Sequence, residues 1–322
     1  MKIVALAGGV GGAKLADGLA QILPPEDLTI VVNTGDDFEH LGLTICPDLD
    51  TVCYTLAGLA NPETGWGRLG ESWQVLENIG RLGGPDWFRL GDKDLATHLE
   101  RARRLREGQT LSQITSDFCL AWGVKHTVLP MSDDPVRTIV DTVEYGELPF
   151  QEYFVHRKCE PKVKGFRFEG AESAKPAPGL LEAIEHANAL VICPSNPWVS
   201  IDPILKVLAN RPDPPFPPSL AGKGGLGGLG RVVVVSPIIG GQTVKGPAAK
   251  MFAELGIQPS ALAVARHYSS RLTHFVLDKV DQMHAAEVEN MGIKTLITNT
   301  IMRTPEDRRR LAQDVLNFIQ TL

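Results

Sequence analysis

Paired cysteines are the first thing this chain lacks. Its five cysteines are odd in number and contain no C-x-x-C pair, which excludes a disulfide framework and a structural zinc site as organising devices. The expected compartment is the reducing cytoplasm. The eight histidines contain no H-E-x-x-H and no closely spaced helical pair, so no cage for a transition metal is visible and any metal is expected on oxygen ligands. An excess of positive charge is also missing: 38 acidic against 32 basic residues give a formal charge of -6, which leaves nothing to hold a polyanion and excludes nucleic acid as a first partner. Apolar runs such as Val232 to Val235 with Ile238 and Ile239 fall far short of the roughly 18 to 20 residues that cross a bilayer, so no membrane partner is expected. The apolar start, Met1 to Ala7, runs into Gly8-Gly9-Val10-Gly11-Gly12 with no small-residue cleavage site, and reads as a buried first strand. With 32 Gly and 23 Pro but 43% hydrophobic residues, the composition is globular, and 322 residues suffice for one large α/β domain or two ordinary ones.

Along the chain, Lys2 to Ala7 predicts a strand, the glycine run a turn, and Ala13 to Leu23 a helix, because Leu15, Leu19, Ile22 and Leu23 recur at helical spacing. Leu28 to Val32 is a second strand closed by the turn residues Asn33-Thr34-Gly35-Asp36-Asp37. A helix is expected over Asp50 to Leu59, with Asp50 or Thr51 as its cap. Residues 61–93 look irregular, yet they carry Trp66, Trp73 and Trp87, which is unusual for a linker and predicts a binding segment. Helices are predicted over Asp94 to Glu107 and Thr110 to Trp122, strands over His126 to Met131, Thr138 to Val143 and Val163 to Phe168, and a helix over Leu148 to His156. From residue 177 the alternation becomes regular: helix Pro178 to Ala187, strand Ala189 to Cys193, helix Ile201 to Ala209, strand Arg231 to Val235, helix Lys245 to Leu255, a short strand Leu296 to Thr298 and a closing helix from Thr304. Strands separated by helices of that length imply parallel crossovers. Between Asn210 and Arg231, five Pro and six Gly predict a surface excursion.

Bare backbone N–H groups at a helix N-terminus make an anion site, so Gly8, Gly9, Gly11 and Gly12 are expected to face something phosphorylated, though tight strand-to-helix packing would also call for glycine here. The run departs from G-x-G-x-x-G, since Lys14 stands where the third glycine belongs, and from the P-loop, since Ala13-Lys14-Leu15 supplies no hydroxyl for Mg²⁺. Later turns, Pro194-Ser195-Asn196-Pro197 and Ser236-Pro237-Ile238-Ile239-Gly240-Gly241, follow strands of the same parallel sheet, whose carboxyl ends line one crevice. Ser195, Asn196, Gly240 and Gly241 suit the phosphates and ribose of a nucleotide, and Lys245 adds a positive charge. Asp48 and Asp50 are two residues apart, which in an extended segment aims both carboxylates one way and suits Mg²⁺; Asp50 as a helix cap is the plainer alternative. Trp87-Phe88-Arg89-Leu90-Gly91-Asp92-Lys93-Asp94 fits a planar ring with polar contacts, or a capped helix start; His156-Arg157-Lys158 reads first as a solvated face.

Taken together, Ala7-Gly8-Gly9-Val10-Gly11-Gly12-Ala13-Lys14, Asn33-Thr34-Gly35-Asp36-Asp37, Cys46-Pro47-Asp48-Leu49-Asp50-Thr51, Trp87 to Leu99, Pro176-Ala177-Pro178-Gly179, Cys193-Pro194-Ser195-Asn196-Pro197 and Ser236 to Gly241 resemble, in order, the 2-phospho-L-lactate transferase (CofD-like) family of coenzyme F420 biosynthesis. The resemblance implies a single α/β domain with a Rossmann-like open parallel sheet and helices on both faces. It divides into a nucleotide-binding core of residues 1–60 and 177–322 and a helical, irregular insertion of residues 61–176 forming the acceptor site. It implies Mg²⁺-dependent transfer of a phospho-carboxylate unit (2-phospho-L-lactate, phosphoenolpyruvate or 3-phosphoglycerate) from a guanosine diphospho-donor to FO, the deazaflavin precursor, releasing GMP in the cytoplasm from a homodimer. By motif position, Asp50 falls near the FO hydroxyl and the metal with Asp48, and Asp92, Lys93 and Trp87 contact FO; lysine at 93, often arginine in relatives, keeps the charge but not the planar fork. The insertion at 210–230 looks longer than is usual in the family. Two other classes remain: a YvcK-like regulatory protein binding nucleotide sugars, which has no need of the Trp87 to Leu99 segment, and a nicotinamide dehydrogenase, which the missing third glycine disfavours.

Overall fold

The computed structural model describes residues 1–209 and 231–321. In chain order the strands begin with β1 (Ile3–Ala7), β2 (Leu28–Val32), the hairpin β3 (Phe38–His40) and β4 (Leu43–Ile45), then β5 (Thr127–Pro130), β6 (Arg137–Thr142), β7 (Gly146–Pro149) and β8 (Val163–Glu169). They continue with β9 (Ala189–Ile192), β10 (Val232–Val235), the short hairpin β11 (Ile238–Ile239) and β12 (Gln242–Thr243), β13 (His274–Asp278) and β14 (Lys294–Thr298). Seven of them form a parallel sheet in the order β14-β13-β10-β9-β1-β2-β5. The chain therefore winds outward from β1 through β2 to β5, then returns to start the other half at β9, so that β1 and β9 flank the switch point.

Alternation within the central strands explains two apolar layers. Val4 and Leu6 of β1 pack on one face with Leu205 and Phe252, while Ile3, Ala5 and Ala7 pack on the other with Leu15, Val52 and Leu311. Both faces are apolar because helices cover both, as a parallel sheet requires. Helix α1 (Gly9–Ala20), α2 (Pro47–Leu56) and the closing helix Pro305–Gln320 lie on the second face. Each buried Val, Leu or Ile contributes roughly 1.5 to 3 kcal/mol relative to exposure.

The middle of the chain adds α3 (Gln74–Arg81), α4 (Asp92–Arg106), α5 (Leu111–Ala121) and an antiparallel sheet β7-β6-β8. The Thr138 N–H donates to the Gly35 carbonyl at 2.6 Å and joins this sheet to the turn after β2. Residues 127–130 fall inside the expected insertion 61–176, yet they form β5, the edge strand of the central sheet.

Several predicted elements shift. Helix α2 starts at Pro47, with Cys46 as its N-cap, so Asp48 and Asp50 stand in a first helical turn and the extended geometry expected of them does not occur. Pro47 fits because the first helical position needs no N–H partner. A helix, α3, lies inside the stretch read as irregular, and Leu148 to His156 divides into strand β7 and a turn of π-helix over Glu152–His156. Pro197–Ile201 is likewise π-helical before the helix Asp202–Ala209, the helix predicted from Lys245 starts at Ala248, and the helix Ala261–Tyr268 and strand β13 were not anticipated. Capping boxes at Thr110 and Thr304 open the two helices predicted from those residues. The Pro/Gly-rich excursion lies outside the described residues.

Candidate active site

A cavity of about 610 Å³ opens at the switch point between β1 and β9. Its floor is the glycine turn and the first turn of α1. The Gly8 N–H donates to the Ser195 hydroxyl at 3.1 Å, and a Cβ on Gly12 would stand 2.6 Å from the same oxygen, so the exits of β1 and β9 are packed face to face. Gly9, at φ +61°, bends the chain into the helix in a conformation that glycine adopts freely. A helix N-terminus opening into a cavity favours an anion. Lys14 lines the same floor, its ammonium donating to the Met302 carbonyl at 2.8 Å. Burial, then the charges of Arg308 and Lys245, hold Lys14 below the usual lysine range.

Three carboxyls crowd the β2 side. The Asn33 amide donates to Asp48 at 3.0 Å, and Asp48 is also held by the Gly9 N–H and the Ser200 hydroxyl; burial nonetheless pushes its carboxyl up to about 6. Burial, and next the Asp48 charge, hold Asp36 well above the usual carboxylate range, and one of its oxygens is buried without a hydrogen-bond partner. Asp37 is pushed up to about 7, again by burial. The sequence marks this segment as a turn and as one of the family motifs without showing that it is buried; its burial follows from the docking of β6 over it.

A polar wall connects α2 and α4. Arg101 grips both oxygens of Asp50, one of them at 3.1 Å, and lies 3.1 Å from His98 Nδ1. His98 Nε2 is 3.4 Å from Asp94, whose carboxylate accepts from the Tyr54 hydroxyl at 2.7 Å. Asp50, Asp94 and His98 present one ligand atom each within 4.8 Å of one another, but Arg101 already supplies a cation to that cluster. Burial opposes ionisation of Asp94, yet the His98 hydrogen bond holds its carboxyl below the usual range.

The far end is aromatic. Trp87 stacks on His156 at 4.9 Å and 17° and meets His40 edge-on at 5.1 Å, with Phe88 and Phe38 packed 4.8 Å apart behind it. Trp66 and Lys245 stand over the mouth, the Lys245 ammonium donating to the Thr64 carbonyl.

Of the residues singled out in the sequence, Gly8, Gly9, Gly11 and Lys14 line the cavity, as do Asp48, Asp50, Trp87, Ser195, Asn196 and Lys245. Asn196 also caps the turn after it, accepting from Trp198 N–H at 3.1 Å. Gly12, Asp92, Lys93, Gly240 and Gly241 do not line it. Asp92 instead accepts from the Ser72 hydroxyl and the Gln74 and Val75 N–H groups, anchoring the start of α3, and Lys93 donates to the Leu69 carbonyl at 3.1 Å. The Gly240 N–H donates to Asp281. His156 stacks on Trp87 while staying about half exposed, in keeping with the solvated face expected of His156-Arg157-Lys158. Sequence reasoning left Asp36, Asp94 and His98 inside its motifs without a site role, and missed Tyr54 and the Thr300 to Met302 segment; all are on the cavity wall. A usable signal existed: Asp94, Thr97, His98 and Arg101 recur at i, i+3, i+4 and i+7, a polar stripe where a buried helix face is ordinarily apolar.

Residues 3–211 match the family described as 2-phospho-L-lactate transferase CofD. A phosphoenolpyruvate transferase of Streptomyces griseus is 43% identical over 325 residues, covering 99% of this chain and 99% of its own. A 2-phospho-L-lactate transferase of Methanosarcina mazei is 37% identical over 314 residues, covering 98% and 99%. Among solved structures, a UPF0052-family protein of Bacillus halodurans superposes with a TM-score of 0.61 at 16% identity over 98% of each chain, a likeness in fold alone. No described helix is long and apolar enough to cross a membrane.

Proposed function

The chain belongs to the 2-phospho-L-lactate transferase CofD family, and from that premise we propose that it transfers a phospho-carboxylate unit from a guanosine diphospho-donor to the terminal ribityl hydroxyl of FO, releasing GMP. One observation carries the reading: a single cavity joins a glycine turn at a helix N-terminus, two lysines and an aromatic slot, with Asp50 on the wall between them. Such a reaction needs these parts and little covalent help, since positioning and charge neutralisation do most of the work in phosphoryl-type transfer.

In this reading the Gly8 to Gly12 turn, Lys14, Ser195, Asn196 and Lys245 receive the diphosphate and ribose, and the deazaflavin ring stacks on Trp87. The FO hydroxyl attacks the phosphorus that bears the carboxylic acid unit, opposite the departing GMP oxygen, and Asp50 orients that hydroxyl. Asp92 and Lys93 support the slot from behind by fixing α3 and the loop at Leu69. Gly12, Gly240 and Gly241 act by shaping turns.

Mg²⁺ would suit the carboxylates of Asp48 and Asp36, the latter raised by burial and next by the Asp48 charge, and carrying a buried oxygen without a hydrogen-bond partner. Asp50, expected to share the metal with Asp48, stands two residues further along the first turn of α2 with both oxygens held by Arg101 and is not placed to do so. When bound, Mg²⁺ offsets charge on the phosphates. The enolpyruvyl donor is the first to test, since the relative at 43% identity bears the phosphoenolpyruvate name. A homodimer is expected, with activity in the cytoplasm.

The deciding experiment is mass spectrometry of the products from FO, Mg²⁺ and each of the three guanosine diphospho-donors. A new FO adduct with GMP supports the transferase and names the donor. Binding of nucleotide sugars without any adduct would instead favour the regulatory protein.

A further inference from the structure

Arg101 is the largest fully buried side chain among the described residues, and it does not line the cavity. It stands behind four side chains that do: Asp50 and Tyr54 from α2, Asp94 and His98 from α4. Its Nη1 and Nη2 take both oxygens of Asp50, and Nη1 also reaches His98 Nδ1 at 3.1 Å and the Thr44 carbonyl at 3.4 Å. A guanidinium can only donate hydrogen bonds. The Nη1 contact with His98 Nδ1 is a hydrogen bond only if Nδ1 accepts, which puts the ring proton on Nε2, a buried nitrogen 3.4 Å from Asp94.

We propose that Arg101 is a positioning residue for the transfer reaction: from behind the wall it fixes the orientation of the Asp50 carboxylate and the tautomer of His98, so that the cavity presents one arrangement of an acceptor, the Asp50 carboxylate, and a donor, the His98 Nε2–H, to the incoming hydroxyl. Stability is a weak reason for the group to be there, because a buried ion pair is often matched by apolar residues of equal volume. Arg101 Nε is moreover buried without a partner, which a purely structural fork would be expected to satisfy. Lysine cannot replace it, since a point charge cannot hold two carboxylate oxygens and an imidazole nitrogen in one plane. Only the kinetic arm of the test rests on the transferase reading.

In ¹⁵N-histidine-labelled wild-type protein, NMR should show His98 protonated on Nε2 and bare at Nδ1. Arg101→Lys and Arg101→Met should lose that single tautomer. Their kcat should fall about 10²-fold while KM for the donor stays within about twofold, as displacement of a group near the reacting atoms costs rate before binding. A merely structural arginine would lower Tm while the folded fraction kept both kcat and the tautomer. Wild-type His98 protonated on Nδ1, or an Arg101→Lys variant of unchanged kcat, overturns the proposal. If neither variant folds, the wild-type tautomer decides. Absence of transfer by wild-type protein with every donor would instead refute the functional reading and leave the NMR arm standing.

Discussion

Gly11 packs beneath the Pro194 carbonyl so closely that a Cβ would stand 2.3 Å from that oxygen. The turn after β1 and the turn after β9 are thus in backbone contact, and the close approach answers why glycine stands here independently of any anion. Gly11→Ala must push the two turns apart, and overpacking of this kind costs about 1 to 3 kcal/mol. Thermal unfolding should show a Tm lowered by several degrees together with weaker GDP binding. Gly165→Ala, where an added Cβ meets nothing within 4 Å, is the control and should change neither. Equal behaviour of the two variants would dissolve the argument.

Asp37 makes stability depend on pH with an unusual sign. Burial raises its carboxyl to about 7; Cys46, Arg137 and Arg101 pull it down, and Asp50 pushes it up. The folded protein thus holds this proton more tightly than the unfolded chain does. The resulting stabilisation is complete below the ordinary aspartate range and is lost as pH rises through about 7. Asp48, at about 6, acts in the same direction. Urea unfolding should therefore show stability falling from about pH 5 to about pH 8, by up to about 3 kcal/mol from Asp37. Asp37→Asn should flatten the profile. An unchanged slope in that variant would reassign the effect.

Trp87 offers one face to the cavity because His156 covers the other at 4.9 Å. Trp87→Ala removes the platform while leaving the glycine turn untouched. The dissociation constant for FO, followed by its fluorescence, should rise roughly tenfold to hundredfold, with GDP affinity constant. A loss confined to GDP would place the aromatic slot on the wrong substrate.

Local patterns made the outline of the fold readable, and non-local docking hid most of the rest. The strands β1, β2 and β10 show as apolar runs ended by turn residues, and the capping boxes are short-range signals. Strand β13 was missed because polar His274 and Asp278 end it, though both are buried in the sheet. Asp92 looked like a ligand or the cap of its own helix, and it anchors a helix 18 residues upstream, a relation no local window contains. Arg101 is one of four arginines in α4; Arg103 and Arg104 pair with Glu100 on the exposed side, and only helical phase tells which arginine turns inward. The glycine run, Asp50 and Trp87 were legible because four glycines in the five residues 8–12, two carboxylates two residues apart and a tryptophan each stand out within a short window.

On the proposed function, Lys14 and Lys245 would meet a diphosphate unequally. Lys245 sits at the mouth on the Thr64 carbonyl, whereas Lys14 is on the floor, half-buried and held below the ordinary lysine range by burial, then by Arg308 and Lys245. An arriving diphosphate supplies the negative charge that this ammonium lacks, so binding should draw a proton onto Lys14 wherever it is partly neutral. Calorimetry of GDP binding at about pH 9, in buffers of different ionisation enthalpy, should register that proton uptake. Lys14→Met should abolish the uptake and weaken GDP by about ten- to a hundredfold, the range of a hydrogen bond to a charged group. Lys245→Met should cost less and keep the uptake, because its ammonium starts at the surface. Proton uptake that survives in Lys14→Met would mean that another group on the floor meets the phosphates.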